Sequence, residues 1–169
     1  MAVASTVRSA TQPLRVLGLD PGSRITGFGL VEGVGPKERC VEAGVIHAGS
    51  GDMPARLGTI YRGVLDAIVR LRPDVMAVEQ VFVARSADSA LKLGQARGAA
   101  IAAVVMVGVP VAEYAARRVK QAVTGTGAAT KYQVQHMVCR LLSLTSAPSA
   151  DAADALAIAI THLNTKRYE

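Results

Sequence analysis

Several residue types are scarce in this chain, and each scarcity excludes a class of protein. The 169 residues include two cysteines, Cys40 and Cys139, which form no CxxC pair. We therefore expect a reduced, cytoplasmic protein rather than a disulfide-stabilised secreted domain. Tryptophan is absent, and aromatic residues make up only 4% of the chain. Because alanine supplies much of the 50% hydrophobic content, helices packed closely on a sheet are favoured over a β-sandwich.

Long apolar runs are missing as well. The longest uncharged run, residues 98–112, has 15 residues and contains Gly108 and Pro110. A membrane-spanning helix needs about 20 consecutive apolar residues, so the sequence predicts no transmembrane segment and no membrane partner. Residues 1–13 are rich in Ala, Ser and Thr without periodicity. We expect them to be a disordered extension that precedes one domain at residues 14–165.

Acidic residues are scarce in one part of the chain. Residues 85–140 contain eight basic residues but only two acids, and this excess equals the whole net charge of +6. Lysines and arginines often simply solvate helix surfaces, but a region so poor in acids is typical of a polyanion-binding face. The basic residues of this region are Arg85, Lys92, Arg97, Arg117, Arg118, Lys120, Lys131 and Arg140.

The order of the apolar patterns predicts an α/β fold. Pro21 and Gly22 separate the first two apolar runs and suit a type II turn, so the first strand ends on Asp20. A helical crossover precedes the fourth strand, which must then be parallel to its neighbour and buried on both faces. The predicted strands are residues 16–20, 25–31, 39–46, 74–82 and 109–113, and the predicted helices are residues 52–72, 87–107, 115–123, 130–144 and 149–164.

Four carboxylates occupy positions that invite a functional explanation. Asp20 ends the first strand, and Glu79 lies near the end of the fourth among apolar residues that make a buried charge costly. Asp151 and Asp154 are three residues apart and project from the same side of the last helix. Structural alternatives remain for two of them, because Asp20 also suits an Asx turn and Asp151 also suits the dipole of a helix N-terminus.

These carboxylates would meet if the first and fourth strands were parallel neighbours, since α/β folds usually place ligands at the carboxyl ends of their strands. Four acids in one small site require cations, and oxygen ligands without histidine or thiolate suit Mg²⁺ or Mn²⁺. Two such ions, about 3.5 to 4 Å apart, form the clamp used for in-line phosphoryl displacement. An acid cluster beside a basic region therefore indicates a metal-dependent nuclease.

Five segments, spread over residues 15–162, resemble the motifs of the RuvC family of bacterial Holliday-junction resolvases in their usual order. The resemblance implies an RNase H-like fold with a mixed five-stranded sheet flanked by helices. It also implies a homodimer that resolves four-way DNA junctions by paired nicks in recombination and repair, and partnership with the RuvA and RuvB branch-migration proteins. The segments are LGLDPGSRITGFG, AVEQVFVARSADSALKLGQARG, EYAARRVKQAVTGTG, KYQVQHMV and ADAADALAIAITH.

The resemblance assigns expected roles residue by residue. The acids that would hold two Mg²⁺ ions, with Mn²⁺ as a substitute, are Asp20, Glu79, Asp151 and Asp154. Lys120 and Lys131 match basic residues that support activity in the family, by contact with the scissile phosphate, although ordinary surface lysines are the alternative. Phe82 matches an aromatic residue that stacks on unpaired bases, although a core phenylalanine would also fit. Weaker candidates for DNA contacts are Arg85, Lys92, Arg97, Arg117 and Arg118, and the implied dimer interface is the helix at residues 87–107.

Three other functions remain open from the sequence. An actin-like kinase or ATPase would use LDPGS as a phosphate loop, but 169 residues leave no room for its second large domain. An RNase H-fold nuclease that processes structured RNA would share the acids. A non-catalytic junction-binding protein is the third, and the intact set of four acids argues against it.

Overall fold

The residues that the structure describes form one mixed five-stranded sheet with five helices. The computed structural model describes residues 12–80 and 86–167. Its elements are β1 (Leu14–Asp20), β2 (Ile25–Val34), β3 (Lys37–His47), α1 (Met53–Leu71), β4 (Val75–Gln80), α2 (Ala87–Met106), β5 (Val111–Ala115), α3 (Ala116–Thr124), α4 (Lys131–Leu141) and α5 (Ala150–Arg167). The strand order is β3-β2-β1-β4-β5. The predicted architecture is confirmed.

The pairing directions follow from the connections between strands. Short links join β1 to β2 and β2 to β3, and both pairs are antiparallel. The helices α1 and α2 serve as crossovers, so that β4 is parallel to β1 and β5 is parallel to β4. Asp52 caps α1 by accepting a hydrogen bond from the Ala55 amide, at 3.0 Å. These connections bring the carboxyl ends of β1 and β4 side by side.

Two hydrophobic cores lie on opposite faces of the sheet. Alternate residues of β1 divide between them, because successive side chains of a strand point to opposite faces. Leu17 and Leu19 pack with α1 and α2, whereas Val16 packs with α3, α4 and α5. The helix α5 is buried along most of its length, since it lies between the sheet and two other helices.

The predicted type II turn after Asp20 is wrong. A type II turn requires a positive φ angle at Gly22, and Gly22 is not among the described glycines with positive φ. Instead, a four-residue link at residues 21–24 joins the strands, and the hydroxyl of Thr26 donates a hydrogen bond to the Gly22 carbonyl oxygen at 3.2 Å. Gly22 is needed for space, because a Cβ there would lie 2.3 Å from the Ile25 carbonyl oxygen.

Two other predictions need correction. The fifth strand lies two residues later than predicted, so Tyr114 belongs to β5 and pairs with Glu79 of β4. The helix predicted at residues 130–144 begins at Lys131 and ends at Leu141. Leu141 is 41% exposed, whereas the next residue, Leu142, is buried in the core.

Some predictions fall on residues that the structure does not describe. Phe82 and Arg85 lie in the gap between residues 80 and 86, and most of the predicted disordered extension precedes residue 12. The roles of these residues stay predictions. Among the helices of the described ranges, none has the length and apolar character needed to cross a bilayer.

Candidate active site

Two of the predicted acids lie side by side at the carboxyl ends of β1 and β4. Asp20 is the last residue of β1, and Glu79 is the second-last residue of β4. The parallel register places Leu19 opposite Val78, so the next residue of each strand is an acid. Asp20 is therefore the immediate lateral neighbour of Glu79.

The other two acids are brought to this point by the close approach of α5 to the sheet. A Cβ on Gly18 would lie 1.8 Å from the Ala155 carbonyl oxygen, and a Cβ on Gly27 would lie 2.0 Å from the Asp151 carbonyl oxygen. Only glycine allows helix and strand backbones to come so near. The sequence prediction overlooked these glycines, although an isolated glycine within a strand is a signal of close backbone approach.

Three of the four acids and two lysines line one cavity of about 290 Å³. Asp20, Glu79 and Asp154 supply its carboxylates, and Lys120 and Lys131 supply its ammonium groups. Asp151, one turn before Asp154 on α5, is not part of the cavity wall, but its charge acts on Asp20. The remaining wall is apolar and consists of Ala116, Val119, Val134 and Ala157.

The electrostatic environment of Asp20 is that of a functional acid. Burial, and after it the negative charges of Asp154, Glu79 and Asp151, raise the pKa of Asp20 from 3.8 to about 7. Burial also raises the pKa of Glu79, helped by the charge of Asp154 and opposed by Lys120 and Lys131. Shifts of this kind, caused by burial and by neighbouring charges of the same sign, cluster at catalytic sites.

Lys131 is the nearest counter-charge to the acid cluster. Its Nζ lies 2.6 Å from Oδ2 of Asp154. This hydrogen bond raises the pKa of Lys131, and the charges of Asp154, Asp20 and Asp151 act in the same direction against a smaller opposing effect of burial. The side chain of Lys131 is largely exposed, so its ammonium group has room to turn towards a ligand.

The chemistry of these donors suits a hard divalent cation. Carboxylate oxygens are the ligands that Mg²⁺ and Mn²⁺ prefer. The pKa values of Asp20 and Glu79 are raised first by burial and then by the charges of neighbouring acids, and a bound cation would offset both effects. Residues 12–80 and 86–167 contain no group of three or more His, Cys, Asp or Glu arranged to hold an ion. Because Oδ2 of Asp154 is paired with Lys131, a cation held by that oxygen would take the place of the ammonium group.

The other basic candidates that the structure describes do not line this cavity. Lys92 forms an ion pair with Asp88 at 2.7 Å on the surface of α2. The guanidinium of Arg97 donates to the Glu79 carbonyl oxygen at 3.2 Å and forms an ion pair with Glu113. These contacts tie Arg97 to the end of β4 and to β5, and the sequence held no signal for them. The DNA contact of Arg97 stays a prediction.

The arginines of α3 point to other surfaces. The side chain of Arg117 lies against the backbone of Gly127. Arg118 helps to line a separate cavity together with Gln121 and Asn164. Both arginines remain predicted DNA contacts on the strength of the positive charge around them.

Comparison with known sequences gives a consistent family match. The sequence model of the family described as "Crossover junction endodeoxyribonuclease RuvC" matches residues 16–162. A protein of that name from Photobacterium profundum is 55% identical over 152 residues, which cover 90% of this chain and 88% of the relative. Another, from Yersinia enterocolitica, is 60% identical over 147 residues, which cover 87% of this chain and 85% of the relative.

Solved structures agree with the sequence comparison. The chain is similar to the structure described as T. thermophilus RuvC in complex with Holliday junction substrate, with a TM-score of 0.86 and 39% identity over 92% of this chain and 96% of that one. The yeast mitochondrial Holliday junction resolvase Ydc2 has a TM-score of 0.66 over 95% of this chain and 80% of that one. At 14% identity, this second similarity concerns the fold alone.

Proposed function

Because the chain belongs to the RuvC family of crossover junction endodeoxyribonucleases, we propose that it resolves four-way DNA junctions in homologous recombination and DNA repair. The observation that carries this proposal is the cavity that joins three carboxylates to two lysines at the carboxyl ends of β1 and β4. Hydrolysis would nick two strands symmetrically and leave 5′-phosphate and 3′-hydroxyl ends. The related T. thermophilus structure with a Holliday junction substrate supports this substrate class.

The acids are proposed to hold the divalent metal that membership of this nuclease family implies. Asp20, Glu79 and Asp154 face the cavity, and Asp151 acts on it through its charge. We assign two Mg²⁺ ions to these four residues, with Mn²⁺ as a substitute. When bound, such ions supply Lewis-acid activation of water and neutralise charge on the leaving 3′ oxygen.

The two lysines are proposed to bind the scissile phosphate. Lys120 and Lys131 place their ammonium groups in the same cavity as the acids. If Asp154 held a cation, the cation would replace its ion pair with Lys131, and the Lys131 ammonium group would be available to a phosphate oxygen. The apolar wall formed by Ala116, Val119, Val134 and Ala157 keeps the local dielectric low, which strengthens these charge interactions.

The protein is proposed to act as a homodimer, since paired nicks require two active sites on one junction. The exposed apolar side chains of α2 support this assembly, because Leu91, Val105 and Met106 all face solvent in the single chain. Family membership alone supports the proposed partnership with RuvA and RuvB. The cytoplasm is the proposed location, and the free thiols of Cys40 and Cys139 fit a reducing compartment.

The direct test of substrate class offers the purified protein three labelled substrates with Mg²⁺: a mobile four-way DNA junction, a linear DNA duplex and a structured RNA. We expect symmetric nicks in the junction only, and we expect DNA ligase to seal them without further processing. Faster cutting of the RNA would contradict the proposal and favour an RNA-processing nuclease on the same fold. Equal cutting of the duplex would remove the junction specificity.

A further inference from the structure

A second cavity lies beside α4, apart from the cavity that holds the acids. Its volume is about 250 Å³. The side chains of Tyr132, His136 and Met137 on α4 form one wall, and Thr124 and Thr126, which end and follow α3, contribute polar groups opposite them. The function proposed above makes no use of this cavity.

The aromatic wall is unusually exposed. Tyr132 is 76% exposed, more than any other large hydrophobic side chain in the described ranges. Its ring stacks on the ring of His136, one helical turn later, with the centroids 6.4 Å apart and the planes 25° apart. An exposed, pre-stacked aromatic pair in a basic region has the composition of a platform for nucleic-acid bases.

The second cavity is separate from the catalytic cavity, but α4 contributes residues to the walls of both. Lys131 and Val134 line the catalytic cavity, whereas their neighbours Tyr132 and Gln133 line the second one. A helix with its side chains is about 10 to 12 Å wide, and stacked nucleotides rise about 3.4 Å each along one strand. A strand whose scissile phosphate lies at Lys131 would therefore reach the second cavity within about three nucleotides.

The charge around the cavity fits a strand of nucleic acid. Arg117 lies against Gly127, in the loop that leads from α3 to the cavity, and Lys131 precedes Tyr132. The cavity is smaller than the roughly 300 to 1,000 Å³ of a typical small-molecule site. It is therefore suited to one planar ring system, with the sugar and phosphate left outside near the basic side chains.

We propose that this cavity holds one nucleobase of the cleaved strand, stacked on Tyr132 within about three nucleotides of the scissile phosphate. This inference rests on the proposed function, in which the substrate is a DNA junction. The stack fixes the register of the strand relative to the acids. Tyr132 is thus a residue that binds and positions the substrate, on a surface separate from the catalytic cavity.

The test places the fluorescent base 2-aminopurine, whose emission reports stacking, at each of three positions on either side of the nick. Binding is followed in metal-free buffer, where the junction stays intact, and cleavage is measured separately with Mg²⁺. In the wild type we expect an emission change at one position. Tyr132→Phe should retain this change, whereas Tyr132→Ala should abolish it and weaken junction binding roughly 5- to 10-fold.

The matched control is Leu141→Ala, since Leu141 is also exposed on α4 and lines neither cavity. It should change neither emission nor affinity. A normal thermal unfolding curve for each variant shows that the fold is kept. Binding and emission of Tyr132→Ala equal to those of the wild type would overturn this inference and leave the proposed function intact. If the wild type neither binds nor cleaves the junction, both this inference and the proposed function are overturned. If Tyr132→Ala changes only the oligomeric state, Tyr132 is a protein contact and the inference is also overturned.

Discussion

At the scale of single residues, Asp20 shows how function and stability conflict in this site. Burial and three neighbouring acids raise its pKa from 3.8 to about 7. An acid whose folded pKa is raised contributes its stability fully below the unfolded pKa, and this contribution is lost as the pH rises through the folded pKa. The metal-free protein should therefore lose stability between about pH 4 and pH 7 because of this residue.

Asp20→Asn should stabilise the metal-free protein at about pH 8 while abolishing cleavage. The gain should be roughly 2 to 4 kcal/mol in the free energy of unfolding, since each unit of pKa shift corresponds to about 1.4 kcal/mol. It should disappear near pH 4, where the wild-type carboxyl is protonated. Urea denaturation with a chelator present measures this. Asp66→Asn, at an exposed position on α1, is the control and should show no such gain. If Asp20→Asn has the same free energy of unfolding as the wild type at pH 8, this interpretation is contradicted.

Arg97 should act by positioning Glu79 rather than by contacting DNA. Its hydrogen bond to the Glu79 carbonyl oxygen and its ion pair with Glu113 hold the end of β4 in place. Arg97→Ala is expected to lower kcat about 10- to 100-fold while the salt dependence of junction binding stays as in the wild type. A lost phosphate contact would instead reduce the slope of log K against log salt by about one. Arg62→Ala, at an exposed position on α1 outside the predicted DNA contacts, is the control for kcat.

These residue contacts mark the limit of what the sequence could predict. Burial cost and position within strands were sufficient to single out Asp20 and Glu79, and helical spacing was sufficient to pair Asp151 with Asp154. The contact between Lys131 and Asp154 depends on how α4 packs against α5, which no local pattern records. The same holds for Arg97 and Glu79, which lie on different elements.

At the scale of elements, the site depends on how closely α5 packs on the sheet. Gly18 and Gly27 leave room for its backbone. This close contact determines how far Asp151 and Asp154 lie from the carboxyl ends of the strands. Element types were predictable where the apolar pattern was clear, as in the helical face of α1 and the buried run of β4. The link after Asp20 was predicted wrongly because Pro-Gly preference describes an isolated turn, whereas here Thr26 and the close approach of Ile25 decide the path.

Gly18→Ala should therefore destabilise the protein strongly. The added Cβ would meet the backbone of α5 1.8 Å away, and backbone cannot move aside as a flexible side chain can. We expect a loss of at least about 3 kcal/mol in the free energy of unfolding, measured by thermal or urea denaturation. Gly58→Ala is the control, because its Cβ would meet only the end of the Arg62 side chain. It should stabilise α1 by about 0.5 to 1 kcal/mol, and similar behaviour of the two variants would refute the close-packing argument.

At the scale of the whole molecule, two surfaces of the single chain suit binding partners. The excess positive charge within residues 85–140 suits the phosphates of the junction, and junction binding should fall steeply with salt. The exposed apolar side chains of α2 suit a second copy of the chain. Composition located the basic region and the family resemblance pointed to α2, but only the fold shows which side chains of α2 are buried against α1 and which remain exposed.

Val105→Asp should separate the proposed dimer. Val105 is 57% exposed on α2, and a charge placed in an apolar interface carries a large desolvation cost. Sedimentation velocity should show a monomer, and the two nicks in a junction should lose their pairing. Val69→Asp is the control, since Val69 is 67% exposed on α1 and outside the proposed interface. If Val105→Asp sediments as the wild type does, the dimer interface does not include Val105 and the proposed interface on α2 is wrong.

The central claim is that the acids at the ends of β1 and β4, with those of α5, catalyse junction cleavage. The most direct test compares the wild type with Asp154→Asn in the presence of Mg²⁺. It measures binding and cleavage of a labelled, mobile four-way junction by each protein. We expect paired symmetric nicks from the wild type, and from the variant junction binding within about threefold of wild type without nicks. If Asp154→Asn cleaves the junction as well as the wild type does, the assignment of the site is contradicted. If the wild type binds the junction without cleaving it, the proposed endonuclease activity is contradicted.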